Sequence, residues 1–186
     1  MIAAMLRAPA AASLLALLLV SIPQPAVAQT PFELSAGYSL AHDPRDEVTL
    51  NAGWIAGAAI GLTPVFSAVA DVSGQYKTIA LFASDARLRI VSAMGGMRAS
   101  GRIGSLREFA QLLAGSVWSS GSAFGSTTTG TSFSLQPGVG LDVPLARSWA
   151  ARVEFDLRLI RSQPDATNGG TQFRFAATLV YRKPNL

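Results

Sequence analysis

The chain has no cysteine among its 186 residues and a single histidine. Disulfide bonds, which hold many small secreted domains together, are therefore excluded. With the carboxylates scattered as well, the sequence predicts no metal site and no cofactor. The one alternative is weak calcium binding by the acidic residues of a single polar segment, Asp43, Asp46 and Glu47. Stability must come from a hydrophobic core or from a closed, hydrogen-bonded barrel.

Charge is also scarce, since only 14% of the residues are charged and 49% are hydrophobic. Basic residues do not cluster with interleaved aromatics, so we expect no binding to nucleic acid. No glycine-rich motif of the kind that cradles phosphates is found either. The composition is apolar for a secreted protein, and a barrel with a lipid-facing exterior would explain it.

No long hydrophobic helix is predicted to dominate the sequence, but two apolar stretches could each form a helix. Residues 1–28 combine a basic start, the apolar run Ala8–Val20 and the small-x-small sequence Ala26-Val27-Ala28, which predicts a cleaved signal peptide. An uncleaved anchor helix is the alternative, although its apolar core is short for a span. The uncharged run Val48–Ala70, with glycines at four-residue spacing, could instead form a membrane helix, but Pro64 would lie inside it.

What the sequence does contain is strict alternation of apolar and polar residues between Ser132 and Arg182. The alternating runs are Phe133–Val143, Trp149–Leu159 and Phe173–Tyr181. Because side chains on a strand point to opposite faces in turn, each run predicts a strand with one apolar face. Each run is about ten residues long, the length that a tilted strand needs to cross a bilayer.

The same pattern predicts five earlier strands. They are Phe32–Leu40, Val48–Leu62, Phe66–Tyr76, Arg87–Met97 and Glu108–Trp118. In the second strand we expect Leu50 on the apolar outer face. In the fourth we expect Arg89 to face inward, with Leu88, Ile90 and Ser92 facing lipid. In the fifth we expect Leu112, Ala114 and Trp118 outside, with Phe109 and Leu113 inside.

The connections between these strands alternate in length. The long ones are Ala41–Glu47, Lys77–Asp85, Ser119–Gly130 and Arg161–Gly170, and the short ones are Thr63-Pro64, Ser100–Ser105 and Pro144–Ser148. Eight strands with alternating long and short connections predict an all-β fold, a closed antiparallel up-and-down transmembrane barrel over residues 29–186, with both termini in the periplasm. Aromatic residues at the strand ends would form two girdles. One contains Phe32, Phe66, Trp149 and Tyr181, and the outer one contains Tyr76, Trp118, Phe133 and Phe173.

The chain resembles the small eight-stranded outer-membrane β-barrel family of the OmpA and OmpX type, from about Pro31 to Arg182. The stretches Phe109–Gly115 and Gly138–Val143 are similar to strands of proteins with an outer membrane beta-barrel domain. Leu179-Val180-Tyr181 resembles the C-terminal signal read by the barrel-assembly machinery. The resemblance implies a bacterial outer-membrane location and insertion with the help of periplasmic chaperones and that machinery.

Charged residues on the polar faces predict an interior network. Arginine at mid-membrane costs about 2–4 kcal/mol on the lipid face of a barrel, so these residues should face inward. The predicted network comprises Glu33, Asp71, Arg89, Asp142, Arg152, Glu154, Asp156, Arg158 and Arg174. An eight-stranded barrel is just wide enough for its side chains to fill, and unpaired buried charges are costly. We therefore expect a salt-bridged, largely closed interior, and the alternative is a narrow gated pore for small ions.

Three other functions are compatible with the sequence. Some eight-stranded outer-membrane barrels modify lipid A, and a hydrolase could use His42 with Asp43, Asp46 and Ser39; we expect no enzyme, because no family motif surrounds them. A soluble lipocalin-like barrel would bind apolar ligands and carry the charged faces outside. The long loops could bind an extracellular partner. We expect a monomer in contact with outer-membrane lipid.

Overall fold

The computed structural model describes residues 32–45, 48–80, 85–123, 126–161 and 170–183. The predicted signal peptide, residues 1–28, lies outside them. The described residues form nine strand segments and no helix. In chain order they are β1 (Phe32–Asp43), β2 (Val48–Leu50), β3 (Ala52–Gly61), β4 (Phe66–Ala80), β5 (Asp85–Ser100), β6 (Arg107–Ala123), β7 (Ser126–Ala146), β8 (Trp149–Arg161) and β9 (Gly170–Arg182).

Each strand pairs antiparallel with the next in sequence, except that β2 and β3 do not pair with each other, and β9 returns to pair with β1, which closes a barrel. The segments β2 and β3 both pair with β1 and form one barrel strand, so the barrel has eight strands, as predicted. Following the register around the barrel from Phe32 leads back to β1 at His42. The stagger is therefore 42 − 32 = 10 residues, which requires strongly tilted strands.

A β-bulge at Asn51 separates β2 from β3. Tyr38 pairs with Trp54 and Ala41 pairs with Leu50. The interval from Leu50 to Trp54 is therefore one residue longer than the interval on β1 that it faces. The extra residue reverses the alternation. Leu50, which we expected on the outer face, is 3% exposed opposite the fully buried Ala41. The prediction for Leu50 was wrong because a period-two pattern does not reveal an inserted residue.

The two faces of the sheet differ in chemistry as the alternation predicts. On β8, Val153 is 60% exposed on the outside, while Asp156 and Arg158 are fully buried inside. The same contrast recurs around the barrel, and exposed outer residues include Leu112, Leu135, Phe175 and Leu179. This is the reverse of a lipocalin-like barrel, whose apolar side chains would face inward. A small apolar cluster inside the barrel comprises Ala59, Val69, Met94, Leu113 and Val117.

At one end of the barrel the strands reach further than predicted. The segment Ser119–Gly130, predicted as a loop, is a hairpin in which β6 continues to Ala123 and β7 begins at Ser126. Likewise, β4 and β5 extend into Lys77–Asp85, and β1 extends to Asp43. The alternation of apolar and polar residues ends in these extensions because both faces of the strands are exposed to water. Segments rich in threonine can still pair as strands.

The connections at the other end are tight turns, and Gly104 in the β5–β6 turn has a φ of 61°. Both described chain ends, Phe32 and Lys183, lie at this end and are joined by a backbone hydrogen bond of 3.2 Å. The helical alternative for Val48–Ala70 was wrong, since β2, β3 and β4 cover this run. Among the described residues, none lies in a helix long and apolar enough to span a bilayer.

Candidate functional site

The middle of the barrel interior is organised around Arg174 on β9, whose side chain is fully buried. Its Nη2 lies 3.0 Å from Asp71 and 2.7 Å from Glu154, and its Nε donates to Asp156 at 2.9 Å. Asp71 comes from β4 and the other two carboxylates from β8, so this central cluster crosses the lumen. A buried arginine is well suited to this position because its planar group reaches several carboxylates at once.

A second cluster fills the end of the interior near the tight turns. Arg152 donates to Asp142 at 2.6 Å and to Glu33 at 2.7 Å, and Arg98 donates to Glu33 at 2.8 Å. Arg182 approaches both Glu33, at 2.9 Å, and Asp142. These five residues form the turn-end cluster. They come from β1, β5, β7, β8 and β9, so the ion pairs link most of the barrel wall.

An aromatic ring lies inside the turn-end cluster. Phe109 on β6 is 3% exposed, and the guanidinium carbons of Arg98 and Arg152 lie 4.3 and 4.7 Å from its ring centroid. Such contacts between a cation and an aromatic face are favourable, and more so when desolvated. The ring occupies space that Gly140 leaves free, since a methyl group at Gly140 would collide with it.

Gln111 joins the two clusters. Its Oε1 accepts hydrogen bonds from Arg98 Nε at 3.1 Å and Nη2 at 2.9 Å. Its Nε2 donates to Asp156 Oδ1 at 3.1 Å. Arg98 also lies 3.9 Å from Glu154. The two clusters are therefore one connected network, in which removing a member leaves its neighbours partly unpaired.

Nearer the long-loop end, the interior is polar but mostly uncharged. Arg158 is fully buried and donates to Gln136 Oε1 at 3.0 Å and to Ser92 Oγ at 3.0 Å. It is the one buried arginine with no carboxylate within ion-pair distance among the described residues. Gln75 donates to Ser39 at 2.9 Å in the same region. These side chains are linked by hydrogen bonds instead of ion pairs.

The arrangement can close the barrel, because acids and bases inside it are nearly equal in number. The interior acids are Glu33, Asp71, Asp142, Glu154 and Asp156, and the ion-paired or fully buried arginines are Arg98, Arg152, Arg158, Arg174 and Arg182. Arg107, opposite Asp142 on the inner face of β6, adds one more positive charge at the turn end. The cavity lined by Glu33, Asp71 and Thr178 has a volume of about 10 Å³, which is room for roughly one water molecule.

The structure places eight of the nine predicted network residues inside the barrel, and Arg89 outside. Arg89 is exposed, and its guanidinium carbon lies 5.7 Å from the centroid of Tyr76. The parity of β5 is the reverse of the prediction, since Ser92 and Met94 are buried and Ile90 packs against the interior apolar cluster. An outward-facing arginine is tolerated at this position because it lies beside the aromatic residues predicted as the outer girdle. The long arginine side chain can extend from there to place its charge in polar surroundings.

Sequence reasoning missed Arg98, Gln111 and Arg182 as network members. Arg98 was missed because the two faces of β5 were assigned the wrong way round. Arg98 points inward only if Arg89 points outward. Arg182 falls on the same face as Arg174 in the alternating pattern, so the sequence already indicated that Arg182 points inward. Gln111 carries no charge, and its position between Phe109 and Leu113, both correctly predicted inside, was the signal for it.

The residues of the hydrolase hypothesis do not come together. Ser39 is fully buried and donates to the carbonyl of Trp54 at 3.2 Å. His42 lies three positions along β1, so its side chain points to the opposite face of the strand. The His42 ring contacts Thr49 Oγ1 at 2.9 Å. Asp46 and Glu47, which the hydrolase and calcium hypotheses used, lie outside the described residues. Within the described ranges no three His, Cys, Asp or Glu residues are grouped as metal ligands would be.

Known structures match this chain in fold. The attachment invasion locus protein Ail of Yersinia pestis matches with a TM-score of 0.59 and 16% identity, covering 82% of this chain and 97% of that one. Neisserial surface protein A matches with a TM-score of 0.61 and 11% identity, covering 82% and 96%. The N-terminal barrel domain of Pseudomonas aeruginosa OprF matches with a TM-score of 0.52 and 10% identity, covering 82% and 98%.

No family model and no curated protein matches the sequence. The likeness to solved structures is therefore one of fold, at identities too low to transfer a ligand or an activity. The closed barrel, its eight strands and their antiparallel pairing all agree with this likeness of fold. The chain has the fold of the small eight-stranded outer-membrane β-barrels.

Proposed function

We propose that this chain is a bacterial outer-membrane protein with a closed interior and a structural or interaction role. The single observation that carries the proposal is the inverted arrangement of the barrel. Its ionic groups are buried inside, with Arg174 and Asp156 at zero exposure, while large apolar side chains such as Val153 and Leu112 stand exposed outside. In water that exterior would be a large exposed apolar surface, which soluble monomers avoid.

Several features support the outer membrane over other membranes. A closed barrel is one of the two structures that can span lipid with every backbone group paired. The aromatic residues Trp149 and Tyr181 pack together at 5.1 Å at the turn end, and Trp118 and Phe133 are exposed near the long-loop end. In this proposal residues 1–28 direct export, the termini face the periplasm, and the assembly machinery inserts the barrel as a monomer.

The interaction part of the role belongs to the surface outside the membrane. Among the described residues two ion-pair clusters cross the interior, and Ser39 and His42 form no catalytic grouping. The β6–β7 hairpin, by contrast, extends beyond the barrel with polar serines and threonines on both faces. It is the element most available to a partner on another cell or in the surroundings.

The experiment that tests this proposal is refolding of residues 29–186 into detergent micelles. We expect β-rich circular dichroism only when detergent is present, and a shift in gel mobility between boiled and unboiled samples. β-structure that forms without detergent, with no shift on boiling, would overturn the proposal in favour of a soluble barrel.

A further inference from the structure

The inner face of the barrel changes from polar to apolar at the long-loop end. On β5 the side chains of Ile90 and Leu88 point inward and are partly buried. On β2 the bulge at Asn51 turns Leu50 and Val48 inward as well. Bulges often redirect side chains beside functional sites, and this one completes an apolar wall of four aliphatic side chains.

This apolar wall borders a cavity of about 420 Å³, here named the mouth cavity. Two glycines of the β6–β7 hairpin leave room for it. A methyl group added at Gly121 would lie 3.5 Å from Leu88 Cδ2, and one added at Gly130 would lie 3.3 Å from Ser119 Oγ. Ser119 and Thr128 add hydroxyl-bearing side chains to the lining. Cavities that hold small molecules have this size and combine apolar walls with a few polar groups.

Two hydrogen-bond acceptors lie side by side in the lining of the mouth cavity. His42 of β1 pairs with Phe173 of β9, so Asp43 and Gln172, the next residues along, are neighbours across the two strands on the inner face. Both line the cavity. The Asp43 carboxylate accepts a hydrogen bond of 3.0 Å from the backbone nitrogen of Arg45. Gln172 is 6% exposed, and its Oε1 has no hydrogen-bond partner among the described residues. A ligand O–H or N–H group between the two side chains can donate to either.

We propose that the mouth cavity binds a small neutral molecule with an aliphatic or aromatic body and a hydroxyl or amide donor at one end. The body lies against Leu50, Leu88 and Ile90, and the donor lies between Asp43 and Gln172. A purely apolar molecule leaves both acceptors without a partner, and a negatively charged one is repelled by Asp43. The inference goes beyond the proposed function, because it adds a binding site inside the barrel and depends only on the strand register.

The test follows the methyl NMR signals of residues 29–186, refolded into lipid nanodiscs, during titration with benzyl alcohol. We expect saturable shifts at Leu88 and Ile90, and a linear drift at the lipid-facing Leu112 that reports alcohol dissolved in the bilayer. Benzyl methyl ether, which has no donor, should bind about tenfold more weakly, since a hydrogen bond to a charged group is lost. Asp43→Ala should weaken binding of the alcohol by a similar factor and leave binding of the ether unchanged.

Two matched variants separate the mouth cavity from the lipid face. Gly121→Leu extends a side chain into the cavity beside Leu88 and should abolish the saturable shifts. Gly95→Leu places the same side chain on the lipid face, where an added methyl group meets nothing closer than 3.7 Å, and should leave them unchanged. Equal binding by the two variants, equal affinity for alcohol and ether, or shifts at Leu88 that never saturate would each refute the inference. A gel-mobility shift retained alongside any of these results would leave the proposed membrane barrel standing.

Discussion

Two neighbouring glycines on β5 show how different the two faces of the barrel wall are. A methyl group added at Gly96, which faces inward, would collide with the Leu112 carbonyl oxygen, whereas one added at Gly95 would meet nothing closer than 3.7 Å. We expect Gly96→Ala to lower the free energy of unfolding by about 1–3 kcal/mol, and Gly95→Ala to change it little. Urea unfolding in lipid vesicles measures both, and equal effects would mean that the parity of β5 is misassigned.

The central cluster depends on Arg174 because three carboxylates share it. Arg174→Met keeps the bulk of the side chain but leaves Asp71, Glu154 and Asp156 without their main partner. Breaking a buried ion pair from one side costs about 3–5 kcal/mol, and we expect a loss of that size in the free energy of unfolding. The control Arg161→Met removes an exposed charge and should change stability by less than about 0.5 kcal/mol. A loss in the control as large as that in Arg174→Met would count against the cluster.

At the scale of elements, the hairpin of β6 and β7 beyond the barrel can be tested by hydrogen exchange. Ser119–Ser122 pair with β5 on one side and β7 on the other, whereas residues 126–132 of β7 have β6 as their partner within the described chain. We expect slow amide exchange along this part of β6 and exchange alternating between slow and fast along β7. Uniformly fast exchange over Ser119–Gly130 would restore the loop predicted from the sequence.

The elements also mark the limit of what the sequence could predict. Alternation located all eight barrel strands and placed β7, β8 and β9 face by face, since lipid on one side and charges on the other make a register slip costly. It failed at Leu50, where one inserted residue reverses the parity. It also failed on β5, whose small and mixed side chains suit either face, so Arg89 was placed inside and Arg98 was not recognised as an interior residue. The hairpin strands were missed because serine and threonine on both faces carry no alternation.

At the scale of the whole molecule, the interior is closed at more than one level. The turn-end cluster contains Arg152, and the central cluster crosses the lumen separately through Arg174. We therefore expect Arg152→Ala to conduct no better than the parent in a planar bilayer, with the lipid-facing variant Val153→Ala as the control for folding. Conductance that rises in Arg152→Ala alone would mean that the turn-end cluster is a gate, and would favour the pore.

The central claim is that the apolar exterior faces lipid while the ionic groups face inward. It is tested most directly by nitroxide labels at Val153 and Leu112, exposed by 60% and 52%, in the protein reconstituted into phospholipid vesicles. The measurement compares collision of the label with oxygen, which concentrates in lipid, and with a water-soluble nickel complex. We predict high oxygen and low nickel accessibility at both positions, and the reverse at Arg161 above the membrane. Nickel accessibility at Val153 and Leu112 equal to that at Arg161 would contradict the account.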